Sequence, residues 1–257
     1  MSRNLLLSLG LLTWFVLLAV LEVASARPDH TDGKRGDARL VTNFGLTALN
    51  LLVSGIDPLT TVTAAALGQR LGIGLTQHVH MSWAMILGLV LVAQSLATYW
   101  LHRLMHEVPL LWRVHRVHHA DSEVDVSTSL RNHPLELLAT LPISALVMIA
   151  IGAPVSVVVA SQAIMLAATI WQHADIALPR RVDSILMPLL VTPRLHRLHH
   201  SPLRIVHDTN FGELFTLWDR VFGTLSVIEG RGRVGLIDQA ARPDHILEQI
   251  WSPLHPA

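Results

Sequence analysis

The chain has 257 residues, of which 51% are hydrophobic and only 15% charged, with a mean hydropathy of +0.45; soluble domains carry about 25% charged residues, so much of this chain belongs in lipid. Its 19 basic and 19 acidic residues cancel, which removes the basic field that a nucleic-acid partner would need. Cysteine is absent, which excludes disulfides, thiolate metal sites and cysteine nucleophiles and leaves His, Asp or Glu to hold any metal.

Residues 5–26, LLLSLGLLTWFVLLAVLEVASA, form an apolar run long enough to span, since about 20 residues cross a hydrocarbon core of ~30 Å. The ASA at 24–26 resembles a signal-peptide cleavage site, but the run exceeds the roughly 7–15 apolar residues of such peptides, and further spans follow. Residues 27–39 predict a polar loop, and 40–56 a second span. Residues 57–80, apolar but interrupted by Arg70 and several glycines, read as an interfacial or re-entrant segment. A third span covers 81–101, with Trp83, Tyr99 and Trp100 at its ends as interfacial aromatics. Two more fit 135–151 and 154–172, divided by Gly152 and Pro154, with Pro142 kinking the first. Beyond 173 the chain is polar, apart from VDSILMPLLV at 182–191, which suits a membrane surface. The predicted fold is all-α: a helical membrane protein with four to five transmembrane helices.

Basic residues order these spans. Arg27, Lys34, Arg35 and Arg39 follow the first; Arg103, Arg113, Arg116 and Arg131 follow the third; Arg180, Arg181, Arg194 and Arg197 follow the fifth. Five spans put all three groups on one side, which the positive-inside rule makes cytoplasmic.

Histidine is over-represented, with 16 residues, and it is clustered. His102 and His106 form H-x3-H at the end of the third span. WRVHRVHHAD carries His115, His118 and His119; LHRLHHS repeats the spacing with His196, His199 and His200. On a helix, positions three and four apart share a face, so each cluster aims its rings along one stripe. His173, in WQHADIALP, offers a ninth imidazole. Eight or nine buried rings would need as many polar partners, and metal ions supply them. His30, His78, His80, His245 and His255 stand alone and read as surface or core residues. A zinc ion takes about four ligands, so nine nitrogens match two ions with four or five each. Imidazole suits Zn, Cu, Fe and Ni alike. HEVPL at 106–110 is not a zinc-protease motif, because Leu110 stands where the second histidine is needed.

HRLMH, HRVHH and HRLHH in this order, with QHAD before the last and NFGELFTLWDRVFGT (210–224) after it, resemble the fatty-acid hydroxylase/sterol desaturase superfamily of membrane-bound di-iron oxygenases. The resemblance covers about residues 81–225 and is to small bacterial members without a fused cytochrome domain. It implies an N-terminal membrane region (1–80), a fatty-acid hydroxylase-like catalytic domain (81–225) whose cytosolic helical cap holds a dimetal site, and a polar C-terminal tail (226–257) that closes over the site or stays loose. The metal ligands it implies are His102, His106, His115, His118, His119, His173, His196, His199 and His200. His133, Asp175, His207 and Asn210 are candidates for supporting or substrate-facing roles. Asp175 stands where many members have Asn and could accept a hydrogen bond from a ligand ring. His207 reads as an added ligand or, more simply, a surface residue.

The resemblance further implies two iron ions, O2 as co-substrate, a membrane lipid as substrate and a separate redox protein as electron donor, in the cell membrane with the site facing the cytoplasm. Zinc is an expected adventitious occupant, since the affinity order favours it over ferrous iron. Hydroxylation is the expected reaction; desaturation or methyl oxidation could run on the same irons. No flavin or nicotinamide fingerprint accompanies the site: LGQRLGIGL at 67–75 lacks the strand-turn-helix setting. A metal transporter would carry its ligands at mid-membrane depth, whereas these lie at span ends and beyond. A zinc hydrolase would need a glutamate base, for which Glu107 and Glu123 are the sequence candidates. Arg113, Arg116, Arg194 and Arg197 read first as anchors for lipid phosphate and second as a docking face for the electron donor.

Overall fold

The computed structural model describes residues 3–25, 37–56, 60–228, 234–237 and 242–255. Five long helices and several short ones carry the apolar segments: α1 (Arg3–Ala24), α2 (Asp37–Ile56), α3 (Thr61–Leu71), α4 (Trp83–Glu107), α5 (Pro109–His119), α6 (Pro134–Ile151) and α7 (Val155–His173), then α8 (Arg180–Leu186), α9 (Pro193–His199), α10 (Arg204–His207), α11 (Leu217–Val221) and α12 (Ile246–Trp251). The only β-pairing among the described residues is an isolated bridge between Leu190 and Phe215. Four helices, α1, α4, α6 and α7, are long and apolar enough to cross a membrane.

The expected second span, α2, falls short of that apolarity for a visible reason. Asn43, Thr47, Asn50 and Ser54 recur at helical spacing; the first three bond to the segment between α5 and α6, and Ser54 donates to the Asn50 carbonyl of its own helix. The helix nevertheless packs against α6 and α12. Arg39, in its first turn, meets the loop after α5, while Thr47 and Asn50 donate to the carbonyls of Leu130 and Asn132 at 3.0 and 2.8 Å. Of residues 57–80, expected to be interfacial or re-entrant, the described part from 60 on carries α3 and a 3-10 turn (Leu75–Gln77), with α3 too short to span. This segment packs on the end of α6 remote from the histidines. Gly74 and Gly152, both at positive φ, lie so close that a Cβ on Gly74 would sit 2.3 Å from the Gly152 nitrogen.

Between α3, α4, α6 and α7 the core is aliphatic, built on Ala65, Val90, Met148, Val157 and Val158. Towards the histidine end it turns polar. Arg39 is buried against Asp121 (3.1 Å) and Asp125. Arg131, fully buried, donates to the Val117 and Pro243 carbonyls and to Asn43. Glu22 near the end of α1 accepts from the Val126 and Asp175 amides. These ties bring α1, α2 and the loops after α5 and α7 to one end of the bundle. Arg27, Lys34 and Arg35 of the expected basic loop, and His30, lie outside the described residues.

Two surface expectations are corrected. Tyr99 is not an interfacial aromatic: it is fully buried, its hydroxyl 2.8 Å from Thr224 and its ring against Phe211 and Phe222. Arg116 is not a lipid anchor, because it is buried and donates to the Ser252 and His255 carbonyls. Arg194 and Arg197 pair with Asp183 and Asp175. The described part of the C-terminal segment is therefore held against α5 rather than loose.

Candidate metal centre

The boxes fall where helices end. α4 delivers His102 and His106 in its last two turns. Pro109 restarts the chain as α5, whose inward face is His115, His118 and His119. Thr192 caps α9, accepting from the Leu195 amide, with Pro193 in its first turn. α9 carries His196 and His199, with His200 just beyond. α7 ends on His173.

These nine rings form two adjoining nests. One nitrogen from each of His102, His106, His115, His119 and His199 lies within 4.8 Å of the others; so do nitrogens of His118, His173, His196 and His200. All nine rings are buried. The nests touch through stacked rings, His119 on His200 at 4.5 Å and His115 on His118 at 5.4 Å.

The outer nitrogens explain the aim of the inner ones. His102 Nδ1 donates to the Phe211 carbonyl (2.9 Å), His118 Nδ1 to Arg131 (2.9 Å), His173 Nδ1 to Thr169 (2.7 Å) and His199 Nδ1 to Thr209 (2.8 Å). His106 Nδ1 and His115 Nδ1 donate to the carboxylates of Asp208 (3.2 Å) and Glu136 (3.1 Å). A ring that spends its proton outward presents a bare Nε2 lone pair inward, the usual arrangement of a metal-binding histidine. Accordingly, Nε2 of His102, His106, His115 and His199 is buried and partnerless. In the other nest, Nε2 of His173 lies 3.0 Å from that of His118 and 2.9 Å from that of His196, which is 3.1 Å from that of His200. The lone pairs of His118 and His173, both turned inward by their outward Nδ1–H bonds, face each other and repel unless a cation lies between them. Burial drives the imidazoles of His118, His119, His196, His199 and His200 well below their ordinary pKa, which keeps them in the neutral form that metals bind. The donor set thus suits two metal ions, five imidazoles to one and four to the other.

The four remaining candidates lie around the nests. Asn210 takes a left-handed conformation (φ 58°) and is clamped to Ser226, donating to its carbonyl and accepting from its amide at 2.8 Å each. Asp219 accepts from the next two amides, Phe211 (2.8 Å) and Gly212 (2.9 Å), and from Thr224 (2.7 Å). Its carboxyl is raised by burial against the pull of those bonds. The NFG and WD elements are therefore the brace behind His102 and His199. His133 caps α6, accepting from the Leu135 amide, and its other nitrogen contacts the Ile250 carbonyl at 3.1 Å. Asp175 accepts from Arg197. His207 is not a surface residue: it is buried, stacked on Trp112, its Nδ1 3.0 Å from the Ser201 carbonyl, and it approaches His106 and Asp208. His78, His80, His245 and His255 stand apart from the nests.

Three acids at the site are not among the sequence candidates, the first being Asp208, which holds His106. Glu136 holds His115, and Glu213 lines the same cavity of about 400 Å³ that opens beside His102, His115, His118, His173 and His196. A lone glutamate in the apolar run PLELLATL was a readable signal, because an acid inside a span is costly unless it has a function.

Residues 87–224 match the model of the fatty acid hydroxylase family. The chain belongs to the fatty acid hydroxylase family. Among characterised relatives, the ornithine lipid hydroxylase OlsE of Rhizobium tropici is 31% identical over 63% of this chain and 51% of its own length. Human alkylglycerol monooxygenase is 30% identical over 61% of this chain and 33% of its own. Human lathosterol oxidase is 30% identical over 55% of this chain and 46% of its own. The chain thus spans at most about half the length of these relatives. No solved structure matches.

Proposed function

We propose that this chain is an integral-membrane, non-haem di-iron oxygenase that hydroxylates a lipid. The observation that carries the reading is the pair of nests: nine buried imidazoles, six with their outer nitrogens bonded to carbonyls or carboxylates, converge at one end of an apolar helical bundle. His102, His106, His115, His119 and His199 would hold one iron; His118, His173, His196 and His200 would hold the other. When bound, the irons would supply the oxidising power towards an unactivated C–H bond that no side chain possesses.

The protein's own residues fix geometry and exclude water. The carbonyls of Phe211, Thr209, Arg131 and Thr169 keep four rings from rotating, and Asp208 and Glu136 add charge-assisted bonds to two more. The cavity beside the nests gives a lipid access from the bundle interior while most of its chain stays apolar-solvated. In balance, the reaction takes one O2, two electrons and two protons, and converts C–H to C–OH with release of water. A separate redox protein would deliver the electrons. The names of the relatives, a lipid hydroxylase, a monooxygenase and a sterol oxidase, support oxidation of a lipid. Arg180 and Arg181 beside the site end support a cytoplasmic orientation in the cell membrane.

The test is lipid profiling by mass spectrometry of cells expressing the chain, against cells expressing His199→Ala. A lipid one oxygen atom heavier, present only with the native chain, is expected. Identical profiles in both strains would contradict hydroxylation.

A further inference from the structure

The cavity beside the nests is unexpectedly polar for a lipid site. It is bounded by α2, α4, α6 and α7. Gln94 lies eight residues before His102 on α4, about 12 Å towards the bundle centre at the helical rise. Gln162 and Ser144 line the wall at comparable depth on α7 and α6. Polar side chains at such depth are costly in a membrane protein and face interior cavities when they occur.

Four residues lining the cavity each carry a polar atom with no partner. Gln94, Gln172 and Glu136 are 3%, 2% and 8% exposed, and each leaves one oxygen buried and unbonded: Gln94 Oε1, Gln172 Oε1 and Glu136 Oε2. Asn50 Oδ1 is the fourth. For Asn50 the amide orientation is fixed, because its Nδ2 donates to the Asn132 carbonyl at 2.8 Å. For Glu136 the other oxygen already receives His115 Nδ1 at 3.1 Å, so the free oxygen is an acceptor. Gln94 bonds only Ser144 (2.7 Å). Buried acceptors left unpaired are destabilising, and four such residues lining one cavity, one from each bounding helix, point to a ligand that donates.

We infer that the cavity admits the polar end of its lipid, and that this end carries hydroxyl or amino hydrogen-bond donors which Gln94, Gln172, Glu136 and Asn50 accept. The C–H bond presented to the nests is then close to the head of the lipid rather than at the end of a bare hydrocarbon tail. This inference rests on the oxygenase reading and names its substrate class. A site built from acceptors rejects an analogue lacking the donor far more strongly than an apolar pocket rejects an extra methylene.

The experiment is equilibrium binding of three lipids to the purified, detergent-solubilised chain carrying its metals, with metal content measured on the same sample. Monopalmitoylglycerol offers hydroxyls, sphinganine offers hydroxyls and an amine, and methyl palmitate offers no donor. At least one of the first two is expected to bind about tenfold tighter than methyl palmitate. Gln94→Leu and Gln172→Leu are expected to narrow that preference at least about threefold, a comparison in which partitioning into detergent cancels. Methyl palmitate binding as tightly as both donor lipids to the native chain would overturn the inference, whether or not a variant folds. A metal-bearing chain without the preference defeats this inference alone; a chain that shows the preference but binds no metal defeats the oxygenase reading alone.

Discussion

His102 and His199 belong to different histidine boxes, 97 positions apart, yet they donate to carbonyls only two residues apart, those of Phe211 and Thr209. Asn210, between those carbonyls, turns the backbone left-handed so that both can point at the nest.

That turn is testable. A side chain without Asn's local bonding costs about 1–2 kcal/mol in the left-handed region, and it also forfeits the two bonds to Ser226. Asn210→Val is expected to lower metal affinity and thermal stability together. Asn210→Gly, which adopts positive φ freely, is expected to recover most of the affinity. Metal titrations of both variants decide it; equal affinities would contradict the role given to the turn.

Asp208 holds His106 through Nδ1. Loss of such an outer partner commonly costs about 10–100-fold in metal affinity. Asp208→Asn is expected to fall in that range with the fold retained. Unchanged affinity would mean that His106 needs no such support.

A stability prediction concerns the cation buried at the histidine end of the bundle. Arg39 neutralises Asp121 and Asp125, and its side chain and both carboxylates are buried. Removing one partner of a buried pair typically costs about 3–5 kcal/mol. Arg39→Met is expected to lower the melting temperature by many degrees, and Arg39→Met with Asp121→Asn and Asp125→Asn to recover part of it. A native-like melting temperature in the single variant would contradict the burial.

Acid should loosen the metal-free protein. Burial keeps His118, His119, His196, His199 and His200 far below the ordinary value of 6.5. Around that pH the unfolded chain takes up protons that the folded chain refuses, so stability is full above it and is lost as pH falls below. Melting temperatures of chelator-treated protein are expected to decline from about pH 7.5 to 5.5, and metal affinity should fall across the same range as protons compete. A flat profile would contradict neutral, buried nests.

Much of this was legible in the sequence because the signals were periodic or repeated. The H-x-x-H-H spacing on α5 and α9 places its rings on one helical face, and the long apolar runs gave α1, α4, α6 and α7. The count of nine nitrogens anticipated a division into five and four. What stayed hidden depended on partners remote in sequence. Tyr99 looks like an interfacial aromatic until Thr224 and Phe211 close on it. Arg116 looks like a lipid anchor until the Ser252 and His255 carbonyls arrive from the C-terminal segment. Asn210 shows its importance only as a backbone dihedral, which composition does not encode.

The most direct test of the two nests is the metal content of the chain purified anaerobically from iron-rich cells, beside His118→Ala and His199→Ala. About two irons per native chain are expected, each variant losing chiefly the ion of its own nest, with His245→Ala unchanged. A single ion per native chain, or variants that keep the full complement, would contradict it.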